Sequence, residues 1–213
     1  GVEGDDDIDA KGGADHITGD YGNDKLNGGD GNDVVEGEWG DDIVIGGLGA
    51  DQISGGLGND FMYVDNTADV VAEAVGEGTD QVLVSISYVL TVGAEIEHVS
   101  IVDVNSTIEI DLTGNEFGQH LDGNAGNNRL DGGGGTDSLY GGVGNDLYIV
   151  DSADDLITEG VGGGTDTVNS MASVILAAEV ENLVLLGTVA LSGTGNVLAN
   201  QITGNAAANT LSG

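Results

Sequence analysis

Residues 28–54 read GGDGNDVVE (Gly28–Glu36), GEWGDDIVI (Gly37–Ile45) and GGLGADQIS (Gly46–Ser54), three consecutive nonapeptides in one phase. The same frame runs outward from Gly1 to Tyr63. Position six is Asp in every repeat: Asp6, Asp15, Asp24, Asp33, Asp42, Asp51 and Asp60. Position eight is apolar each time, as Ile8, Ile17, Leu26, Val35, Val44, Ile53 and Met62, and positions one, two and four are rich in Gly. A fixed short period of this kind marks a solenoid. Gly at the turn positions permits positive φ, and Asn or Asp at position five tolerates the same region. A three-residue strand is expected after each turn, its middle side chain inward and its flanks outward.

A second, longer period contains the first. GNDFMYVDNTADVVAEAVGEGTD from Gly58 recurs as GNDLYIVDSADDLITEGVGGGTD from Gly144, and AEIEHV at Ala94 recurs as AEVENL at Ala178. The chain therefore divides into a nonapeptide stack (1–72), a long unit (73–113), a second stack (114–158) and a second long unit (159–213), read as one continuous solenoid. The stretches Gln81–Leu90 and Val174–Leu186 are rich in Val, Ile and Leu, and strands are expected there. The closing residues Asn209–Gly213 look like the start of another repeat, so the sequence is expected to be a piece of a longer protein.

Composition narrows the partners. The 213 residues include 38 Asp and Glu against three Lys and Arg, for a formal charge of -35, with 40 Gly and neither Pro nor Cys. Self-repulsion on that scale opposes a compact state, so folding needs a cationic counterpart. Nucleic acid and anionic membranes want basic patches, and Lys11, Lys25 and Arg129 supply none. No run of about 18 apolar residues is present to form a membrane span. Without Cys there are no disulfides and no thiolate metal sites. His16, His98 and His120 show no ligand spacing and are read as ordinary surface or packing residues.

Two nonapeptides make one coil, so equivalent turns lie about 4.8 Å apart. Asp6, Asp24, Asp42 and Asp60 then form one column, and Asp15, Asp33 and Asp51 another. At an effective dielectric near 20, each adjacent unpaired couple at about 5 Å repels by about 3 kcal/mol. Carboxylates and turn carbonyls are hard oxygen ligands in flexible geometry, which suits Ca2+ better than Mg2+. Multiple Ca2+ ions are therefore the expected cofactors.

The nonapeptides GGDGNDVVE, GGLGADQIS and GGVGNDLYI (Gly141–Ile149) resemble the GGxGxDxUx repeat of the RTX family, strongly over residues 1–72 and 132–158. The resemblance implies an all-β, right-handed parallel β-roll, Ca2+ between turns, ligation by position-six Asp with backbone carbonyls, and type I secretion. The register adds Asp69 after Asp51, then Asp137, Asp146 and Asp155 in the second stack. Asp80 follows Asp60, and Asp166 follows Asp146, at slightly more than two nonapeptides, close enough to end those columns with a longer loop. Gln119, Asn128, Asn200 and Asn209 stand where Asp is due. Those turns are expected to be held mainly by side-chain amides, with Asn128 still able to pair with Asp146.

Tyr21, Trp39 and Leu57 share position three and should form an apolar ladder, which is either self-stacked or a contact for a partner. Ile43, Ile45, Phe61 and Tyr63 fall on an outward strand face, expected to be covered by the following long unit or by a neighbouring molecule. HExxH, GxSxG and phosphate-loop motifs are absent from the sequence, and repetition argues against a unique catalytic centre. The position-three row lacks the Thr that ice binding would require. The functional expectation is a calcium-binding structural or adhesive module, not an enzyme, of a secreted or cell-surface bacterial protein, with extracellular polysaccharide or neighbouring copies as candidate partners. The alternative is a noncatalytic accessory module of a secreted protease, lipase or polysaccharide-modifying enzyme.

Overall fold

The computed structural model describes Gly1 and residues 3–213, which fall into two units, Gly1–Val102 and Asp103–Gly213. In the first unit the strands are β1 (Asp7–Asp9), β2 (His16–Tyr21), β3 (Lys25–Asp30), β4 (Val34–Trp39), β5 (Ile43–Leu48), β6 (Gln52–Leu57), β7 (Phe61–Val64), β8 (Val70–Val71), β9 (Gln81–Val84), β10 (Tyr88–Val89) and β11 (His98–Ile101). Odd-numbered strands stack as one parallel ladder from β1 to β11, and β2, β4, β6 and β8 stack as another. This is a parallel β-solenoid, and its register is the coil of two nonapeptides: Lys25 pairs with Ile43 and Ile43 with Phe61 on one side, while Val34 pairs with Gln52 and Gln52 with Val70 on the other. Position eight points inward throughout, and Leu26, Val35, Val44, Met62 and Val71 are wholly buried. A single short strand cannot bury such a face; stacked neighbours do.

The strands are longer than expected. Ile43–Leu48 and its neighbours run 6 residues because the turn itself joins the ladder, with Gly29 opposite Gly47 and Asp30 opposite Leu48. Turn N–H groups continue the pattern, Gly31 donating to the Leu48 carbonyl at 2.8 Å and Gly40 to that of Leu57 at 2.8 Å. Position one thereby becomes a second inward position, and Gly19, Gly28, Gly37, Gly46 and Gly55 are all buried there. Within the stack, positive φ is confined to positions two and four, as at Glu38 (78°) and Gly40 (132°), and does not occur at position five. Asn and Asp at position five instead form an outer ladder: Asn23 Oδ1 accepts from the Asp41 N–H at 3.0 Å, and Asp41 Oδ1 from that of Asn59 at 2.9 Å.

Long-unit coils change length while keeping the inward row. Met62 is opposite Val82, across a coil longer than two nonapeptides, and Val82 is opposite Val99, across a shorter one. Val64, Val84 and Ile101 occupy the second inward row, so side chains fill the space that Gly leaves open in the stack. Because the long unit extends the ladder endwise, it does not cover the outward face, and Ile43 and Phe61 remain exposed. The position-three ladder forms, with Tyr21 and Trp39 edge to face at 4.0 Å between ring centroids.

The second unit comprises β12 (Leu112–Thr113), β13 (His120–Asp122), β14 (Arg129–Asp131), β15 (Ser138–Tyr140), β16 (Leu147–Val150), β17 (Leu156–Thr158), β18 (Thr167–Ser170), β19 (Val174–Ile175), β20 (Asn182–Leu185), β21 (Ser192–Thr194), β22 (Gln201–Thr203) and β23 (Thr210–Ser212). Its parallel ladders are β13-β15-β17, β12-β14-β16-β18-β20-β22 and β19-β21-β23. Leu121, Leu130, Leu139, Tyr148, Val168 and Leu183 form its buried rows. Coil length again varies past the nonapeptides: Leu147 pairs with Thr167 across a long coil, and Thr167 with Asn182 across a short one.

Candidate metal centres

Each position-six Asp ends a turn and enters the next strand with its side chain inside the bend. One oxygen is anchored across coils. Asp24 Oδ1 accepts from the Asp6 N–H at 2.7 Å, Asp42 from Asp24 at 2.7 Å, Asp60 from Asp42 at 2.7 Å and Asp80 from Asp60 at 2.9 Å. In the other column Asp33 accepts from Asp15, Asp51 from Asp33 and Asp69 from Asp51, at 2.8 to 3.1 Å. The second unit repeats the device: Asp137 accepts from Gln119, Asp146 from Asn128, Asp155 from Asp137 and Asp166 from Asp146.

The second oxygen decides the chemistry. Oδ2 of Asp15, Asp24, Asp33, Asp42, Asp51, Asp60, Asp137, Asp146 and Asp166 is buried without a hydrogen-bond partner. A buried carboxylate oxygen left this way costs about 1–3 kcal/mol or more, and a whole row of them demands a common explanation. Those of Asp24, Asp33, Asp42, Asp51, Asp60, Asp137 and Asp146 face the α-carbon of the position-one Gly of their own turn. A Cβ on Gly46 would lie 2.7 Å from Asp51 Oδ2, and one on Gly28 would lie 2.6 Å from the Gly46 carbonyl oxygen of the next coil. Anionic oxygen, turn carbonyl and the space left by a missing Cβ make a cradle that fits a hard divalent cation such as Ca2+.

Burial is the main cause of the electrostatic strain. It pushes Asp60 up to about 7 and Asp80, Asp137 and Asp146 to about 6, neighbouring carboxylates adding to the effect and the cross-coil N–H bonds opposing it. Burial also raises Asp42, Asp51 and Asp166. An unfolded Asp titrates near 3.9. The metal-free fold therefore binds more protons than the unfolded chain between about pH 4 and pH 7, and the stability held by these groups is complete below that window and lost as pH rises through it. We expect the metal-free chain to gain β structure as pH is lowered from 8 to 5, read by far-UV circular dichroism in EDTA; a flat or falling β signal would contradict the site electrostatics.

Asp6 Oδ2 faces Gly1 in the same cradle, whereas Asp69, Asp155 and Asn128 behave differently. Asp69 Oδ2 turns to its own loop and accepts from the Asn66 N–H at 3.1 Å, as Asp155 Oδ2 does from that of Ser152 at 3.1 Å. Asn128 brings an amide to the site: Nδ2 donates to the Ile110 carbonyl at 2.7 Å and to Asn124 Oδ1 at 3.1 Å, and Oδ1 accepts from the Asn124 N–H. Gln119 uses Asn115, Asn200 uses Asn196 and Asn209 uses Asn205 in the same way. The position-two Asn is thus half of a two-amide turn, legible as GNxxxN or GNxxxQ but not anticipated from the sequence.

Four glutamates at these turns also escape the nonapeptide pattern. Glu73 and Glu159 occupy position one, where the stack has Gly. The Glu73 carboxylate accepts from the Gly55 and Gly56 N–H groups, each at 2.8 Å, and burial pushes it up to about 8. Glu97 and Glu181 take over the anchoring role beyond the last Asp, accepting from the Asp80 and Asp166 N–H groups at 2.7 and 2.8 Å. The signal lies in the long repeat, which aligns Glu73 with Glu159, and in the AEIEHV and AEVENL pair, which aligns Glu97 with Glu181.

Residues 1–35, 36–71 and 113–148, just over half of the chain, match the family model described as RTX calcium-binding nonapeptide repeat (4 copies). A comparison with curated proteins gave no match.

Proposed function

Because the chain belongs to the RTX calcium-binding nonapeptide repeat family, we propose that it is a calcium-folded structural or adhesive module, without catalysis of its own, of a secreted or cell-surface bacterial protein. The observation that carries this reading is the row of buried, unpartnered Asp oxygens, most of them beside a Gly cradle. The position-six Asp side chains and turn carbonyls would hold Ca2+, and the ion would supply the positive charge that a chain of formal charge -35 lacks.

Linkage turns those sites into a switch. A ligand that binds only the folded state at ten times its Kd adds about 1.4 kcal/mol per site, and at a thousandth of Kd it adds almost nothing. Extracellular calcium modules have Kd near 10⁻⁴ to 10⁻³ M. In this reading the chain stays unfolded at cytosolic calcium, suits export as an extended chain through a type I system, and folds outside.

The test is a Ca2+ titration of the metal-free chain at constant ionic strength, followed by far-UV circular dichroism, with Mg2+ as the parallel arm. A transition to a β spectrum at roughly millimolar Ca2+, without one at equal Mg2+, is expected. A full β spectrum in excess EDTA at neutral pH would overturn the proposal.

A further inference from the structure

We propose that Glu159 supplies a third carboxylate to a calcium site between Asp146 and Asp166, set in place by the Tyr148 hydroxyl, and that the first long unit has no counterpart of this site. The inference rests on the reading of position-six Asp as calcium ligands and adds residues that the nonapeptide pattern does not contain.

One carboxylate oxygen from each of Asp146, Glu159 and Asp166 lies within 4.8 Å of the other two. Asp146 and Asp166 are 2% and 1% exposed, and the Oδ2 of each is buried with no hydrogen-bond partner. Three carboxylates in one pocket need a cation. The single Lys or Arg beyond residue 102 is Arg129, which pairs with Asp131 at 2.7 Å. A calcium ion meets the need, since charge count and oxygen number set the strength of such a site.

Tyr148 holds Glu159 in position. Its hydroxyl accepts from the Gly141 N–H at 2.9 Å and donates to Glu159 Oε1. A Cβ on Gly141 would collide with both Asp146 Oδ2 and the Tyr148 oxygen, so the hydroxyl stands at the rim of the same cradle.

The first long unit makes the contrast. Met62 stands at the position of Tyr148 in the long repeat and has no hydroxyl to meet the Gly55 N–H. Glu73 takes that N–H and its neighbour's directly, so its carboxylate is committed to the backbone. Among the described residues, Asp60, Glu73 and Asp80 do not converge as the second triad does. Two corresponding segments of the long repeat thus place their inward Glu differently, and the residue at 62 or 148 selects which.

The test uses the full 213-residue chain. Crystals grown with Ca2+ and soaked in Tb3+ are expected to show an anomalous peak bonded to the Asp146, Glu159 and Asp166 carboxylates and none bonded to Glu73. By calorimetric Ca2+ titration, Glu159→Gln should remove one ion or weaken one step roughly 10- to 100-fold, and Tyr148→Phe should weaken the same step about tenfold, while Glu73→Gln leaves the ion count unchanged. Peaks along the Asp24 and Asp42 column with none touching Glu159 would overturn this inference alone. Absence of ions from every column would overturn the calcium-folding reading itself. If Glu159→Gln does not fold at saturating Ca2+, the anomalous map of the unaltered chain decides.

Discussion

Gly37→Ala is expected to abolish the ion site of its turn and to destabilise the loaded fold by about 3 kcal/mol, near the upper end of ordinary overpacking. Gly37 lies in β4 with φ outside the positive range, so its backbone accepts alanine; only space forbids it. A Cβ there falls well inside 3.0 Å of both Asp42 Oδ2 and the Gly55 carbonyl oxygen. Neither can retreat. Asp42 is fixed through Oδ1 by the Asp24 N–H at 2.7 Å, and Gly55 sits within β6 between Ser54 and Gly56, which pair with Glu36 and Glu38, its own N–H donating to the Glu73 carboxylate at 2.8 Å. The methyl group therefore occupies the space proposed for the ion. Gly93→Ala is the control: φ is 88° and nothing lies within 4 Å of the added carbon, so it carries only the left-handed backbone penalty of about 1–2 kcal/mol. Ca2+ midpoints by circular dichroism and ion counts by calorimetry separate the two. Equal ion counts in Gly37→Ala and the unaltered chain would show that the cradle is not the site.

That experiment probes what the sequence makes plain. A strict nonapeptide phase fixes both the inward row and the Asp columns, because stacking every second nonapeptide leaves Asp24, Asp42 and Asp60 no other register. Strand length is less legible. Turn residues such as Gly29 and Gly47 join the ladder through backbone groups that every residue carries, so no side-chain pattern announces it. Beyond the stack, coils longer and shorter than two nonapeptides keep their inward residues and vary only in surface loops, where spacing holds no phase. Glu73 and Glu159 escape for a related reason. Position one reads as a glycine position until a Glu placed there is seen to point inward, and whether it takes the N–H groups of the neighbouring coil, as Glu73 does, or the Tyr148 hydroxyl, as Glu159 does, follows the residue at 62 or 148.

The asparagine turns close a coil through paired side-chain amides where the other turns bury a carboxylate, and they predict the outcome of a graft. Replacing GEWGDD at residues 37–42 by GNAGNN, the sequence of residues 123–128, takes four substitutions: Glu38→Asn, Trp39→Ala, Asp41→Asn and Asp42→Asn. The two turns are equal in length and share the cross-coil anchor, Asp42 N–H to Asp60 Oδ1 at 2.7 Å and Asn128 N–H to Asp146 Oδ1 at 2.8 Å. They differ inside the bend. Asp42 buries an anionic oxygen with no partner, whereas Asn128 and Asn124 bond to each other, and their amide nitrogens donate to the Ile110 and Ile108 carbonyls at 2.7 and 3.0 Å. The graft also replaces Glu38, held at φ 78°, by the counterpart of Asn124, whose φ is not positive, so the turn is relieved of a left-handed non-glycine residue. The metal-free chain should therefore gain about 1–3 kcal/mol, the cost of a buried unsatisfied group. At the same time the calorimetric ion count should fall and the Ca2+ dependence of folding should become shallower, since a site that binds no ion adds nothing to linkage. Opposite signs with and without calcium are the diagnostic result. A graft that weakens the fold in both conditions would show that the Asp turns are stabilised by something other than a bound cation.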